Sequence, residues 1–209
     1  MQPIHFASAI PIRPSRSMKT PHLYILALAA LTGFAIAAEK DQHADHKKSP
    51  MAAMIADKSG ADFEAAYLGM MIHHHKSGGP MWALAREKTT SDEIKALEKK
   101  TTPKEQREIE EMTAWLKQWH NKSPEDLKVP EQSTQMMEKD MAELRSASGK
   151  EFDKLFGKKM AHHHKGAIDM AKLAQDKAEH AEVKSAASKI VESQTADRKK
   201  LLSISEEGN

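Results

Sequence analysis

Two stretches of this chain set thioether and imidazole side chains at one shared spacing. Met71, His74, His75 and Met81 recur as Met160, His163, His164 and Met170. On a helix, at about 100° per residue, His74 and His75 fall about 60° and 40° to either side of Met71. Met81 and Glu64 join that face, and His73 points to the opposite side. The second stretch repeats the arrangement, with Asp153 on the shared face and His162 turned away. Imidazole accepts Cu(I), Cu(II) and zinc, whereas thioether sulfur is soft and selects Cu(I) or Ag(I). Zinc would recruit carboxylate or thiolate instead of methionine. The pattern therefore points to copper, as Cu(I) or Cu(II), with silver able to replace it.

Methionine on a helical face is ordinarily core filler, so no single Met here carries the argument. The joint repetition does. Burying four imidazoles without partners would cost free energy, and a metal ion removes that cost. Glu64 and Asp153 are secondary candidates because they share the His face. His43 and His46, in the sequence DQHADHKK, stand at i, i+3 beside Met51 and Met54 and form a second, looser candidate for Cu(II). A solvated polar linker is the alternative reading of that segment. His120 and His180 have no counterpart in the repeat and receive no role.

The elements that must position these residues follow from the same repetition. Gly60 to Ala85 aligns without a gap onto Gly149 to Ala174, and an internal repeat fixes architecture before anything else. Ser59 with Asp62, and Ser148 with Glu151, resemble N-terminal capping boxes that open the two His helices. A second helix follows Thr90 with Glu93 in copy one and begins near Glu179 to Glu182 in copy two. Thr102-Pro103 predicts a kink or break near Thr101. Gln106 and Gln194 correspond if one residue is inserted. Asn121 to Pro130 reads as a crossover, followed by a connecting helix around Gln135 to Arg145. Strand signals are nearly absent. The expectation is an all-α, ferritin-like antiparallel four-helix bundle built from a duplicated helix pair, with a connecting helix. Repeat one spans 59–120, the connector 121–147 and repeat two 148–205. Residues 38–58 read as a polar, flexible segment, with a helical turn at Met51 to Ile55.

The start of the chain reads as an address. Leu23 to Ala37 is apolar, Arg13, Arg16 and Lys19 precede it, and Ala35-Ile36-Ala37 supplies a cleavage pattern, so residues 1–37 are expected to be a secretory signal peptide, with Met18 as an alternative start. The run falls short of the ~20 residues of a spanning helix, so no stable membrane insertion is expected after cleavage. The whole chain has 32 basic and 30 acidic residues. Losing the three basic residues of the leader removes the basic excess that nucleic acid binding would need. The mature protein is expected in the periplasm or secreted. There is no Cys, which excludes disulfides, thiolate metal sites, iron–sulfur clusters and Cys nucleophiles. Aromatics at 5% and charge at 30% disfavour a large β-sandwich.

At Phe63, Glu64, Tyr67, Met71, Ile72, His74, His75 and Met81, the sequence resembles the bacterial domain-of-unknown-function family 305, ferritin-like proteins with CopM-like periplasmic copper-binding members. Copy two matches at Phe152, Asp153, Phe156, Met160, His163, His164, Ala167, Met170 and Ala171. A later family element appears as Gln106, Glu108, Ile109, Met112, Trp115 and Leu116. His73 and His162 stand where the family usually has Pro, Gly69 and Lys158 where an acidic residue is common, and Trp82 where Ala is usual. The resemblance covers residues 59 to 205 and implies a ferritin-like fold with periplasmic copper binding, but no reaction.

The expected function is copper sequestration or resistance through these Met/His sites. One alternative is a metal-free helical binding module. Another is a di-metal oxidase of the ferritin type, whose chemistry uses Glu-x-x-His. No Glu stands three residues before any His in this chain. Oligomeric state is open, and no catalytic residue is assigned.

Overall fold

A computed structural model describes residues 48–206. The leader with its Ala37 cleavage, His43 and His46 lie outside the described residues. Six helices follow one another: α1 (Pro50–Ala56), α2 (Gly60–Lys88), α3 (Asp92–His120), α4 (Glu131–Ser146), α5 (Gly149–Lys177) and α6 (Ala181–Glu206). A 3-10 turn at Pro124–Asp126 lies in the crossover between α3 and α4, and no strand occurs among the described residues. Residues 89–91 join α2 to α3, and 178–180 join α5 to α6. Links this short fold each pair into an antiparallel hairpin. The two hairpins pack through α2 and α5, which run antiparallel: Phe63 to Ile72 lies beside Ala167 to Ala174, and Met81 to Ala85 beside Phe152 to Ala161. The expected four-helix bundle is the observed one.

Helix α2 is buried on every side from Phe63 to Ile72, as befits a helix covered by α1, α3, α4, α5 and the crossover. Gly69 makes the crossover possible, because a Cβ there would lie 1.8 Å from a terminal methyl of Leu127. Ser59 and Ser148 do occupy the N-cap positions, but their hydroxyls make no cap bond. Gly60 and Gly149, at φ +57° and +56°, turn the chain into each helix instead. A side chain in that left-handed region would cost roughly 1–2 kcal/mol.

Three other expectations change. Ser91, not Thr90, caps α3, its Oγ accepting the Ile94 N–H at 3.2 Å. Helix α3 runs unbroken through Pro103, with Lys100 and Thr101 tied across that turn to Asp197 of α6 at 2.7 and 3.2 Å. Of the segment expected to be flexible, the described residues 48–58 are docked, and the helical turn expected at Met51 to Ile55 is α1. Ala52 and Ile55 of α1 are fully buried, and the Ser49 N–H donates to Asp169 at 3.2 Å. Met51 is buried there and Met54 is exposed.

The apolar interior is divided in two. One core holds Phe63, Tyr67, Met71, Met112, Leu116, Met170 and Ile190. The other holds Met81, Trp82, Ile94, Leu97, Phe152, Phe156, Met160 and Leu201. Between them every helix of the bundle presents polar groups: His74 and His75 from α2, Thr101, Glu105 and Glu108 from α3, His164 from α5, and Gln194 and Asp197 from α6, all buried. Gln194 Nε2 donates to Glu105 Oε1 at 3.1 Å, whereas Gln106 is exposed and bonds Glu110. The repeat register therefore continues without the insertion expected at Gln106, pairing Glu105 with Gln194 and Glu108 with Asp197.

Candidate metal centre

The polar layer holds the four repeated histidines where α2 and α5 cross. The His74 and His163 rings lie 3.8 Å apart between centroids, tilted by 35°. Two glycines allow this approach. A Cβ on Gly78 would sit 2.9 Å from the His163 ring, and one on Gly166 would sit 2.8 Å from His74 Nε2. His73 and His162 lie outside this layer, His73 bonding the Pro124 carbonyl at 2.8 Å and His162 exposed at the edge of the cavity beside the pair.

The hydrogen bonds determine which ring nitrogens carry protons. His74 Nε2–H donates to the His163 carbonyl at 3.0 Å. The Ser77 hydroxyl donates to the His74 carbonyl at 2.7 Å, so its oxygen accepts from His163 Nε2–H at 3.2 Å. Both rings therefore carry their proton on Nε2, and both Nδ1 atoms are buried without a partner. Metal-binding imidazoles are held in this way, one nitrogen donating to a backbone or hydroxyl oxygen while the other keeps its lone pair.

The second histidine of each pair faces the opposite way, towards α3 and α6. His75 Nε2 is 3.0 Å from Glu108 Oε2, out of line for a hydrogen bond, and its Nδ1 is 4.0 Å from Glu105 Oε1. His164 is fully buried with neither ring nitrogen partnered. Lys104 neutralises Glu108 at 3.0 Å. Burial raises the Glu108 carboxyl, but His75 and Lys104 outweigh it and hold the group below its ordinary value. Burial pushes Glu105 up.

Burial likewise lowers the imidazoles, His74 to about 3 and His164 to about 4, with His163 well below the ordinary value; neighbouring histidines add to the lowering. At neutral pH these three rings are uncharged, the form that binds metal. The sign for stability follows. The unfolded chain protonates these rings near pH 6.5 and the folded chain does not until far lower, so the stabilisation is complete above about 6.5 and is lost as pH falls towards the folded values. The metal-free protein is expected to melt at clearly lower temperature at pH 5 than at pH 7. A flat melting profile over that interval would contradict the assignment.

The expected ligand set is divided by the fold. Met71 and Met170 pack in one apolar core, and Met81 and Met160 in the other, all fully buried. Glu64 and Asp153 lie away from the His layer. Glu64 Oε2 accepts the N–H groups of Glu179 and His180, both at 2.8 Å, and Oε1 accepts from His120 at 3.1 Å and His180 at 2.5 Å. Asp153 holds the Thr90 N–H at 3.2 Å and the Thr89 and Thr90 hydroxyls at 2.5 and 2.6 Å. These two carboxylates clasp interhelical turns. The inward carboxylates near histidine are Glu105, Glu108 and Asp197. The gap-free offset of 89 would have located Glu108 and Asp197 as an acidic pair. Among the described residues, no three imidazole or carboxylate groups converge into a closed metal-ligand set.

A cavity of about 310 Å³ opens beside the imidazole pair, with His74, His163 and Ser77 on one wall and residues of α1 and α4 on the other. None of the described helices is long and apolar enough to cross a membrane.

A family profile described as domain of unknown function (DUF305) matches residues 32–116 and again 64–204. Among solved structures, the chain is similar to CopM in its Cu(II)-bound form, with 28% identity, TM-score 0.60, and coverage of 68% of this chain and 95% of that one. The Cu(I)-bound form of CopM gives 27% identity, TM-score 0.55, and coverage of 66% and 91%. A Streptomyces coelicolor protein described as a secreted DUF305 protein shares the fold at 23% identity and TM-score 0.55, covering 66% of this chain and 89% of that one. No match is found among curated proteins.

Proposed function

Because this chain belongs to the DUF305 family, we propose that it binds copper through the histidine layer and serves to sequester it outside the cytoplasm. The observation that carries this reading is the His74–His163 pair: two neutral imidazoles, one buried and one half-buried, whose Nε2 protons are fixed by the chain and whose Nδ1 lone pairs are buried and free. Bound copper would gain both lone pairs without first displacing a proton or an internal hydrogen bond. His75 and His164 stand behind this pair with further unpartnered nitrogens. Met71, Met81, Met160 and Met170 border the layer from the two apolar cores. CopM, with its Cu(I)- and Cu(II)-bound structures, supports copper as the cargo. The leader read from the sequence supports a periplasmic or secreted location.

The test is titration of the purified protein with copper, silver, zinc and iron under reducing and oxidising conditions. Copper is expected to bind more tightly than zinc or iron, with silver competing for the Cu(I) site. Absence of saturable copper binding in both redox conditions would overturn the reading. Iron bound with oxygen-dependent turnover would favour the oxidase alternative.

A further inference from the structure

The cavity over the imidazole pair is walled by the helices that precede the two His helices, α1 before α2 and α4 before α5. Helix α4 turns Gln132, Ser133, Met136, Met137 and Asp140 towards it, while Met141 and Leu144 of the same helix enter the apolar core. Met136 belongs to neither core and is half-buried. Met137 is half-buried at the edge of one core. Helix α1 contributes Met51 from its docked position. Three thioethers therefore line the same space as His74 and His163.

We propose that this cavity is a soft-metal capture site, in which Met51, Met136 and Met137 provide thioether sulfur beside the free Nδ1 atoms of His74 and His163, and that it takes copper as Cu(I). The proposal rests on the copper reading above and goes further by placing the sulfur ligands outside the repeats. Thioether sulfur keeps its lone pairs at any pH and prefers monovalent d10 ions over Cu(II). Core methionines such as Met71 would have to leave close packing to reach an ion, whereas Met51 already lines the space from the edge of its core and half-buried Met136 and Met137 can change rotamer into it. Met is suited to this by its flexible, unbranched side chain. Helices α1 and α4 meet over the single His74–His163 pair, so the arrangement gives one such site per chain.

The test compares the protein with its M51L/M136L/M137L variant. Leucine conserves volume, a swap that generally costs under about 1.5 kcal/mol, so the variant should fold. Cu(I) affinity is measured by competition with a chromophoric Cu(I) chelator under reducing conditions. It is expected to fall about tenfold or more, with Cu(II) affinity changing less than about threefold, and with copper–sulfur scattering in X-ray absorption lost from the loaded variant. An M112L control, at a fully buried core methionine with no place in the site, is expected to keep both the Cu(I) affinity and the sulfur signal. Unchanged Cu(I) affinity and retained copper–sulfur scattering in the triple variant would overturn the proposal while leaving the copper reading intact. Failure of the unaltered protein to bind copper would instead overturn the copper reading itself.

Discussion

Under reducing conditions, H74A/H163A is expected to lose Cu(I) affinity by roughly 100-fold or more, about 2.7 kcal/mol, while H75A/H164A stays within a few-fold of the parent. Loss of a group that merely orients a metal ligand costs about 10–100-fold, so removing both imidazole ligands should cost at least the upper end. The contrast comes from the directions in which the side chains face. His74 and His163 open onto the cavity and have free Nδ1 atoms. His75 and His164 face the closed layer of Glu105, Glu108 and Asp197. The second pair is expected to show its effect in stability, because its removal leaves those carboxylates beside an empty space. Equal loss of affinity in the two double variants would place the ion across the whole layer instead of on its cavity side.

The second large effect is expected at Glu64. E64L removes a fully buried carboxylate and leaves two backbone N–H groups and two imidazoles without an acceptor. Breaking a buried ionic or hydrogen-bonded cluster by deleting one partner costs about 3–5 kcal/mol. At about 2–4 °C per kcal/mol for a domain of this size, the melting temperature should fall by roughly 10 °C or more. Glu64 lies ten residues before His74, about 15 Å along α2, so copper affinity in the folded variant should hold. Burial raises the Glu64 carboxyl, but the bonds from His180, Glu179 and His120 outweigh it, leaving the group lowered. Its contribution is therefore present above the ordinary carboxylate range and disappears as pH falls through the lowered folded value. E64Q should remove that acid-limb dependence. A melting temperature within about 2 °C of the parent in E64L would refute the clasp.

Much of this architecture was legible because the repeat is long and helical. The offset between Met71 and Met160 located both His helices, the hairpins and the crossover. Periodicity alone placed His73 and His162 away from the interior. It did not separate His74 from His75, because a wheel gives the face of a helix but not which neighbour covers each edge of that face. Glu64 and Asp153 share the wheel face with the histidines yet sit two to three turns away along the axis, where they meet turns of the other repeat. Glu105 and Asp197 were missed because they lie on helices whose polar residues read as solvated. The wall of Met136 and Met137 was not legible either, because the equivalent positions of repeat one hold Lys47 and Lys48, so no methionine repeats there.

The clasps at Glu64 and Asp153 have a consequence for how this chain came to be. Glu64 of repeat one secures the turn of repeat two at Glu179 and His180, and Asp153 of repeat two secures the turn of repeat one at Thr89 and Thr90. Such reciprocity, where residue i meets j and j meets i, belongs to an isologous contact between two identical subunits. The molecule is in this sense a dimer whose subunits have been tied into one polypeptide. Fusion removed the requirement that both sides remain alike, and the equivalent helices before the two His helices now differ, with Met51 of α1 standing where α4 has Asp140.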